Sequence, residues 1–562
     1  MTDRPNARRR PLRPYLVLAA GLLLADLRAP SLLWAQGDRR NLIPDVRIDQ
    51  DAINAGKVEF ETLFHAGRHI FSNRFTPEDA FGEAPNGPRR SRQGLEGRPT
   101  LPFLRFNGLD AQSCQECHNV IGMTPPPEAE RAPEGMSFVR EPGTTAGSGA
   151  FAQNVFAFND FPASTVGPVR NPPHVFGLGY VQRLAEEMTL DLLAARDAAR
   201  AQAQQTQSPV RVNLVTKGVS FGALTARPDG SFDTLEVEGV SVEDFVVRPF
   251  QFKGIASTIR NFVANALNFH FSVQPRELLN RGVIPDDLDP PRDEILEGEV
   301  SAISIFIAFH RPPERSLRGL DEAQVARGEA LFAQIGCAAC HVPTLPIIDP
   351  RLTVIDPRPM SASVARRAAP APPASPALIN ADWRSEDLPI IEHYRRFGAR
   401  TTTAGEDPSN PSDRLPGFTR NLNRSDGPPA SLPRLPFDPQ TGALNVPLYS
   451  DLKRHKMGSA LAESFNQQTD VVGVTVPTDE FLTRPLWGVC DTGPWLHDGR
   501  ALTLLDAVLM HEGPGSEANP VIQTFRALSE PERQDLRAFL LSLRLPVGAA
   551  SPPAELLRWR RY

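Results

Sequence analysis

Apolar residues recur at helical spacing in six stretches of this chain and alternate with polar ones in one region. The first helical pattern starts near Val58 and carries Gly67 and Ile70-Phe71. Two more cover 255–268 and 293–309, the latter with Val300, Ile303, Phe306 and Ile307 at helical spacing. Asp321 predicts the cap of a fourth, running to Gln334 with Gly328 and Leu331-Phe332 on it. Thr503 with Asp506 predicts a fifth that ends at Gly513-Pro514. The capping box Ser529-Glu530-Pro531-Glu532 opens a sixth, with Leu536, Phe539, Leu540 and Leu543 on one face. Alternation over Val210 to Val215, Gly222 to Ala226 and Thr234 to Val240, around a Pro228-Asp229-Gly230 turn, predicts a small β-rich insertion at 208–250.

Gly67 with Ile70-Phe71 repeats the spacing of Gly328 with Leu331-Phe332, a weak internal repeat. The stretch Phe81 to Pro99, rich in Gly, Pro and Arg, reads as an exposed loop inserted after the first copy. Residues 343–380, rich in Pro and Ala, and much of 402–440 lack periodicity and read as surface connections.

A length of 562 residues suits two or three packed units. The net charge of −6 argues against nucleic acid or an anionic membrane as partner. Arg8, Arg9, Arg10 and Arg13 precede an apolar run, Tyr15 to Leu24, and a short one ending at Trp34-Ala35. This predicts a signal peptide over 1–36 and a periplasmic protein. Asp26 and Arg28 interrupt the run, so no stable membrane span is expected.

Two cysteine motifs dominate the chemistry: Cys114-Gln-Glu-Cys117-His118 and Cys337-Ala-Ala-Cys340-His341. The C-x-x-C-H string is the signature of c-type haem attachment, in which two thiols bond the vinyl groups and the histidine becomes the proximal ligand. Disulfides or a thioredoxin-like pair would need no following histidine, and one zinc site would not draw on motifs so far apart. Two covalently bound haem c groups are therefore expected. The fifth cysteine, Cys490, reads as a small packed side chain. The expected fold is mainly α: two cytochrome c-like haem domains with a small β-rich insertion and long Pro-rich loops. Its divisions are an N-terminal haem domain at 37–207, the β-rich insertion, connecting helices at 251–318, a C-terminal haem domain at 319–548 with a loop insertion at 343–450, and a tail at 549–562.

The stretch from Arg484-Pro485-Leu486-Trp487-Gly488 through Thr492-Gly493-Pro494-Trp495-Leu496-His497-Asp498-Gly499-Arg500 resembles the C-terminal motif of the bacterial di-haem cytochrome c peroxidase superfamily, most closely its di-haem oxidoreductases (putative peroxidases or thiol oxidoreductases). Arg170-Asn171-Pro172-Pro173 with Phe176-Gly177-Leu178-Gly179, and Tyr449-Ser450-Asp451-Leu452 leading to His455 and Met457-Gly458, extend the resemblance. In the peroxidases a methionine fourteen residues after the HDG histidine ligates the C-terminal haem; here that position is His511, with Met510 one residue short. The resemblance so implies a His341/His511 pair, with a lower potential than thioether ligation provides. It also implies that His497 does not bind iron, and it makes Asn171, Thr492 and Pro494 candidates for an all-oxygen calcium site.

His118 is proximal at the N-terminal haem, with His65, His69 and His174 as distal candidates. Gln274 and Glu277 are the candidate acid–base groups, and no inter-haem tryptophan is identified. The implied activity is a peroxidase-like oxidoreductase, passing electrons from the C-terminal to the N-terminal haem. It would use a small cytochrome or cupredoxin-type protein as redox partner and hydrogen peroxide as oxidant. Two alternatives stay open: an electron-transfer cytochrome with both irons six-coordinate, and a dioxygenase resembling the rubber oxygenases.

Overall fold

The structure, a computed structural model, describes residues 47–72, 74–76, 79–81, 112–118, 171–271, 273–280, 293–357, 417–423, 435–463, 467–468, 475–493 and 495–546. All of them lie in one compact unit, Arg40–Tyr562. The expected signal peptide, the loop at 82–99 and the tail at 549–562 fall outside the described residues.

Two helix pairs place the cysteine motifs. Phe60–Ser72 crosses Glu297–Ala308, and Glu322–Gln334 crosses Glu530–Leu541. Each crossing is made at a glycine. A Cβ on Gly67 would stand 2.0 Å from the Ala302 carbonyl oxygen and 2.9 Å from Phe306 Cβ. One on Gly328 would stand 1.9 Å from the Asp535 carbonyl oxygen and 2.9 Å from Phe539 Cβ. Without a side chain at these positions the two backbones touch. The internal repeat is thus a repeated contact, a glycine against a carbonyl with an aromatic one helical turn further on. Phe60, Phe64, Phe71 and Phe306 pack around the first crossing, and Phe332, Tyr449 and Phe539 around the second, in two separate apolar clusters.

Local capping chemistry explains where several helices begin. The Asp321 carboxylate accepts the Gln324 N–H, Thr258 accepts the Asn261 N–H, and Thr503 accepts the Asp506 N–H. Ser529 and Glu532 form the reciprocal capping box. The helix at Ile259–Ala266 stops short of the expected Asn268 because the chain widens into a π-helical turn, Leu267–Phe271. The longest helix, Leu178–Thr206, is not among those the periodicity predicts. Its first half is buried on nearly every side, including Arg183, Glu186 and Glu187, which pair with one another. An all-round buried helix has no amphipathic stripe to read.

The expectation of a mainly α chain is corrected. The described residues are only 39% helical and 17% strand, with the strands among them spread over six small sheets. The three-stranded meander falls within the predicted insertion: Val210–Thr216, Val219–Ala226 and Phe232–Asp233. Lys217 and Gly218, both at positive φ, make its first hairpin. The remaining sheets are two-stranded, and two lie where unpacked connections were expected. Leu345–Ile347 pairs with Leu444–Val446, and Arg351–Ile355 with Gly417–Asn421, burying Leu345, Ile347, Leu352 and Val354. Strands of three to five residues, each paired to a segment far along the chain, leave no readable local period. No described helix is long and apolar enough to cross a membrane.

Candidate functional site

The first cysteine motif forms a single helical turn, Cys114–Cys117, packed against the cluster around Phe60–Ser72. His118 follows it. Its Nδ1 lies 2.7 Å from the Pro173 carbonyl oxygen. A carbonyl can only accept, so Nδ1 carries the proton and Nε2 is left with its lone pair. Burial, aided by the charges of His270 and Arg484 and opposed by the Pro173 hydrogen bond, lowers the imidazole to about 4. It is neutral at physiological pH, the form that ligates metal.

The second motif repeats this arrangement. Cys337–Ala339 makes a 3₁₀ turn behind Gly336, and the Nδ1 of His341 lies 3.1 Å from the Tyr449 carbonyl oxygen. Tyr449 has φ +54°, a left-handed conformation uncommon for a non-glycine residue, and its carbonyl meets the imidazole there. Asp451 N donates to the Cys340 oxygen and Ser450 N to the Val342 oxygen, so the Tyr449-to-Leu452 motif clamps the backbone of the second motif. Burial first, then the charge of His511, lowers His341 to about 4.

His511 has the same polarity as the two proximal histidines. Its Nδ1 donates to the Ala507 oxygen at 2.7 Å, one turn back at the end of the Leu504–Leu509 helix, and burial lowers its pKa. Three histidines therefore share one feature: Nδ1–H engaged by a backbone carbonyl, which sets the tautomer and orients Nε2. Metal-bound histidines are held this way by their outer-shell partners. His511 lies close enough to His341 for its charge to act on that imidazole.

Two further donors fit a cofactor that brings carboxylates. The Trp487 indole is buried at 3% exposure, and its Nε1–H has no hydrogen-bond partner among the described residues. A buried unpaired donor costs about 1–3 kcal/mol. Arg484, three residues earlier, sits close enough to His118 to lower its pKa, lies over the Phe252 ring, and has no carboxylate partner among the described residues. Burial lowers Arg484 only to about 10, so it remains cationic.

The other expected residues stand elsewhere or are otherwise engaged. His174 uses both ring nitrogens on protein: Nε2 faces the Trp487 oxygen at 3.0 Å, and Nδ1 accepts the Phe176 N–H at 3.2 Å. Neither nitrogen remains for iron, which removes His174 as a distal ligand. His65 is exposed, and His69 is half-buried with the charge of Asp79 acting on it. Glu277 is engaged in an ion pair, with Arg260 holding both of its carboxylate oxygens. Gln274 is buried, with its backbone N–H given to Glu294 at 2.6 Å.

His497 is buried against Phe481 at 4.6 Å between ring centroids. Asn171 reaches the same loop through the Leu496 and His497 carbonyls. Thr492 Oγ1 donates to Val489, and Pro494 lies outside the described residues. His455 bridges Asp451 at 2.8 Å and Glu517 at 2.7 Å, with Cys340 Sγ 3.9 Å away. Burial pushes its imidazole down, but Asp451 and Cys340 outweigh this and raise it to about 11. Cys340, Asp451 and His455 offer ligand atoms within 4.8 Å of one another, a cluster that haem attachment at Cys340 would take out of use for metal.

Residues 440–543 match the family described as di-haem oxidoreductase, putative peroxidase. This stretch is thus similar to that family over about a fifth of the chain. No curated protein matches the chain. The matched segment holds Tyr449, Arg484, Trp487 and His511, hence the carbonyl that orients His341, the two donors without a partner among the described residues and the histidine whose charge acts on His341.

Sequence reasoning did not identify His270. It sits in the Leu267–Phe271 π-turn, and its charge reaches His118. Phe271 beside it stacks on Phe75, whose N–H donates to Gln112 at the approach to the first motif. π-turns are frequent at functional sites, but a single inserted residue in a helix leaves no periodic signal.

Proposed function

We propose that the chain is a c-type di-haem oxidoreductase of the peroxidase kind, exported to the periplasm. One observation carries the reading: each cysteine motif ends in a neutral, half-buried histidine whose Nδ1–H is taken by a backbone carbonyl. Cys114, Cys117 and His118 would hold one haem, and Cys337, Cys340, His341 and His511 the other. Arg484 and Trp487 would donate to haem carboxylates. When bound, the haems would supply one-electron chemistry, suited to giving hydrogen peroxide the two electrons that, with two protons, yield two waters.

The protein's own contribution is orientation and charge. Pro173 and Tyr449 hold the proximal imidazoles in the ligating tautomer. The His455 imidazolium, set between Asp451 and Glu517, keeps a positive charge beside the second motif. A negative net charge suits a small basic cytochrome or cupredoxin-type donor. A second reading, a pure electron carrier, is favoured by His270: ligation of the N-terminal iron by this residue would close the position that peroxide needs.

Low-temperature electron paramagnetic resonance of the oxidised and half-reduced protein, before and after hydrogen peroxide, separates the two. A high-spin ferric signal abolished by peroxide, beside one low-spin signal, supports the peroxidase. Two low-spin signals indifferent to peroxide in both redox states support the carrier instead.

A further inference from the structure

Four hydrogen bonds join the two proximal histidines through protein alone. The Nδ1–H of His118 goes to the Pro173 oxygen at 2.7 Å, and the next residue is His174. Because the Nδ1 of His174 accepts the Phe176 N–H, the His174 proton resides on Nε2 and is donated to the Trp487 oxygen at 3.0 Å. Leu486, covalently joined to Trp487, gives its N–H to the Leu448 oxygen at 3.0 Å, and the Trp487 N–H points to the same oxygen at 3.5 Å. Tyr449 follows Leu448, and its carbonyl receives the Nδ1–H of His341 at 3.1 Å. Between the two proximal rings this path is main chain throughout, except for the imidazole of His174.

We propose that His174 is the residue that couples the two iron sites electronically. The proposal rests on the di-haem reading above. A single electron exchanged along the path leaves one iron oxidised and the other reduced by one, and no proton needs to cross. Electronic coupling falls less steeply through bonds and short hydrogen bonds than across a gap. A run of hydrogen bonds in a low-dielectric interior also polarises as a unit. His174 is therefore a positioning residue. Neither of its nitrogens is available to bind iron, and it links the carbonyl that holds one proximal histidine to the segment that anchors the carbonyl of the other.

Two substitutions separate coupling from packing. His174→Asn retains an oxygen at the Nδ1 position to accept the Phe176 N–H but is too short to reach Trp487. His174→Gln places an N–H donor at the position of Nε2. Each protein is first assayed for haem by the pyridine haemochrome; fewer than two haems in the unsubstituted protein overturns the di-haem reading, and this proposal with it, before any variant is compared. Pulse radiolysis then delivers one electron, and the absorbance of the two haems follows its equilibration.

The expected result is exchange slowed at least about tenfold in His174→Asn, the lower end of what losing an outer-shell hydrogen bond costs at a metal site. His174→Gln should exchange at close to the original rate, with resonance signals of both irons unchanged in each variant. An unaltered rate in the Asn variant overturns the proposal. Equal slowing in both variants also overturns it, because the shape of the ring would then be the cause. If the Asn protein fails to load both haems, His174→Leu is the disconnecting variant, compared with the same Gln protein.

Discussion

On the proposed reading, His511 is where a single side chain would set a property of the whole centre. Its Nδ1 is tied to Ala507, and its charge bears on His341. Thioether ligation stabilises ferrous iron relative to imidazole. His511→Met should raise the potential of the C-terminal haem by roughly 100–200 mV, a fraction of the about 0.8 V that axial ligands span. His511→Ala should abolish one low-spin resonance signal. Spectroelectrochemical titration checks the first outcome and resonance spectroscopy the second; an unmoved potential would show that His511 does not ligate. At this scale the sequence was legible because cysteine spacing and the distance from His497 are covalent facts. It was not legible for His174, whose two hydrogen bonds come from Phe176 and from Trp487, remote in the chain.

The elements repeat one device, a glycine that lets two helices meet. At Gly67 and Gly328 the obstacle is a backbone carbonyl of the partner helix, which no rotamer change can relieve. Gly67→Ala and Gly328→Ala should each destabilise by about 1–3 kcal/mol, the usual cost of overpacking, with the upper end expected here. Thermal unfolding of the haem-loaded variants measures it. Caps and helical periods made these crossing helices readable from sequence. The paired strands were not readable, because Leu345–Ile347 and Arg351–Ile355 acquire their structure from Leu444–Val446 and Gly417–Asn421. An expectation of a mainly α chain counts only what a local window can show.

For the molecule as a whole, three half-buried histidines make stability depend on pH in a defined direction. His118 and His341 titrate near 4 when folded, against an ordinary 6.5. Between those values the unfolded chain binds more protons than the folded one, so stability falls as pH drops from about 6.5 to 4 and levels off below. His455 acts oppositely. Raised to about 11, it contributes fully below 6.5 and loses that contribution as pH climbs toward 11. Denaturant midpoints of the haem-free chain across pH 4 to 10 should therefore peak near neutrality. A midpoint unchanged between pH 7 and 4 would contradict the burial of both proximal rings.

The sequence by itself determined the two C-x-x-C-H motifs, the capped helices and the glycine repeat, since these depend on covalent spacing and on contacts within a few residues. Only the tertiary structure decided which carbonyl orients each proximal histidine, that Arg260 holds Glu277, that His174 is bound to protein, and that Trp487 and Arg484 stand near the first motif. Apart from the Phe176 bond of His174, those facts join residues from 17 to more than 300 positions apart. A hydrogen bond, unlike a helical period, leaves no trace in the chain until folding brings its donor to its acceptor.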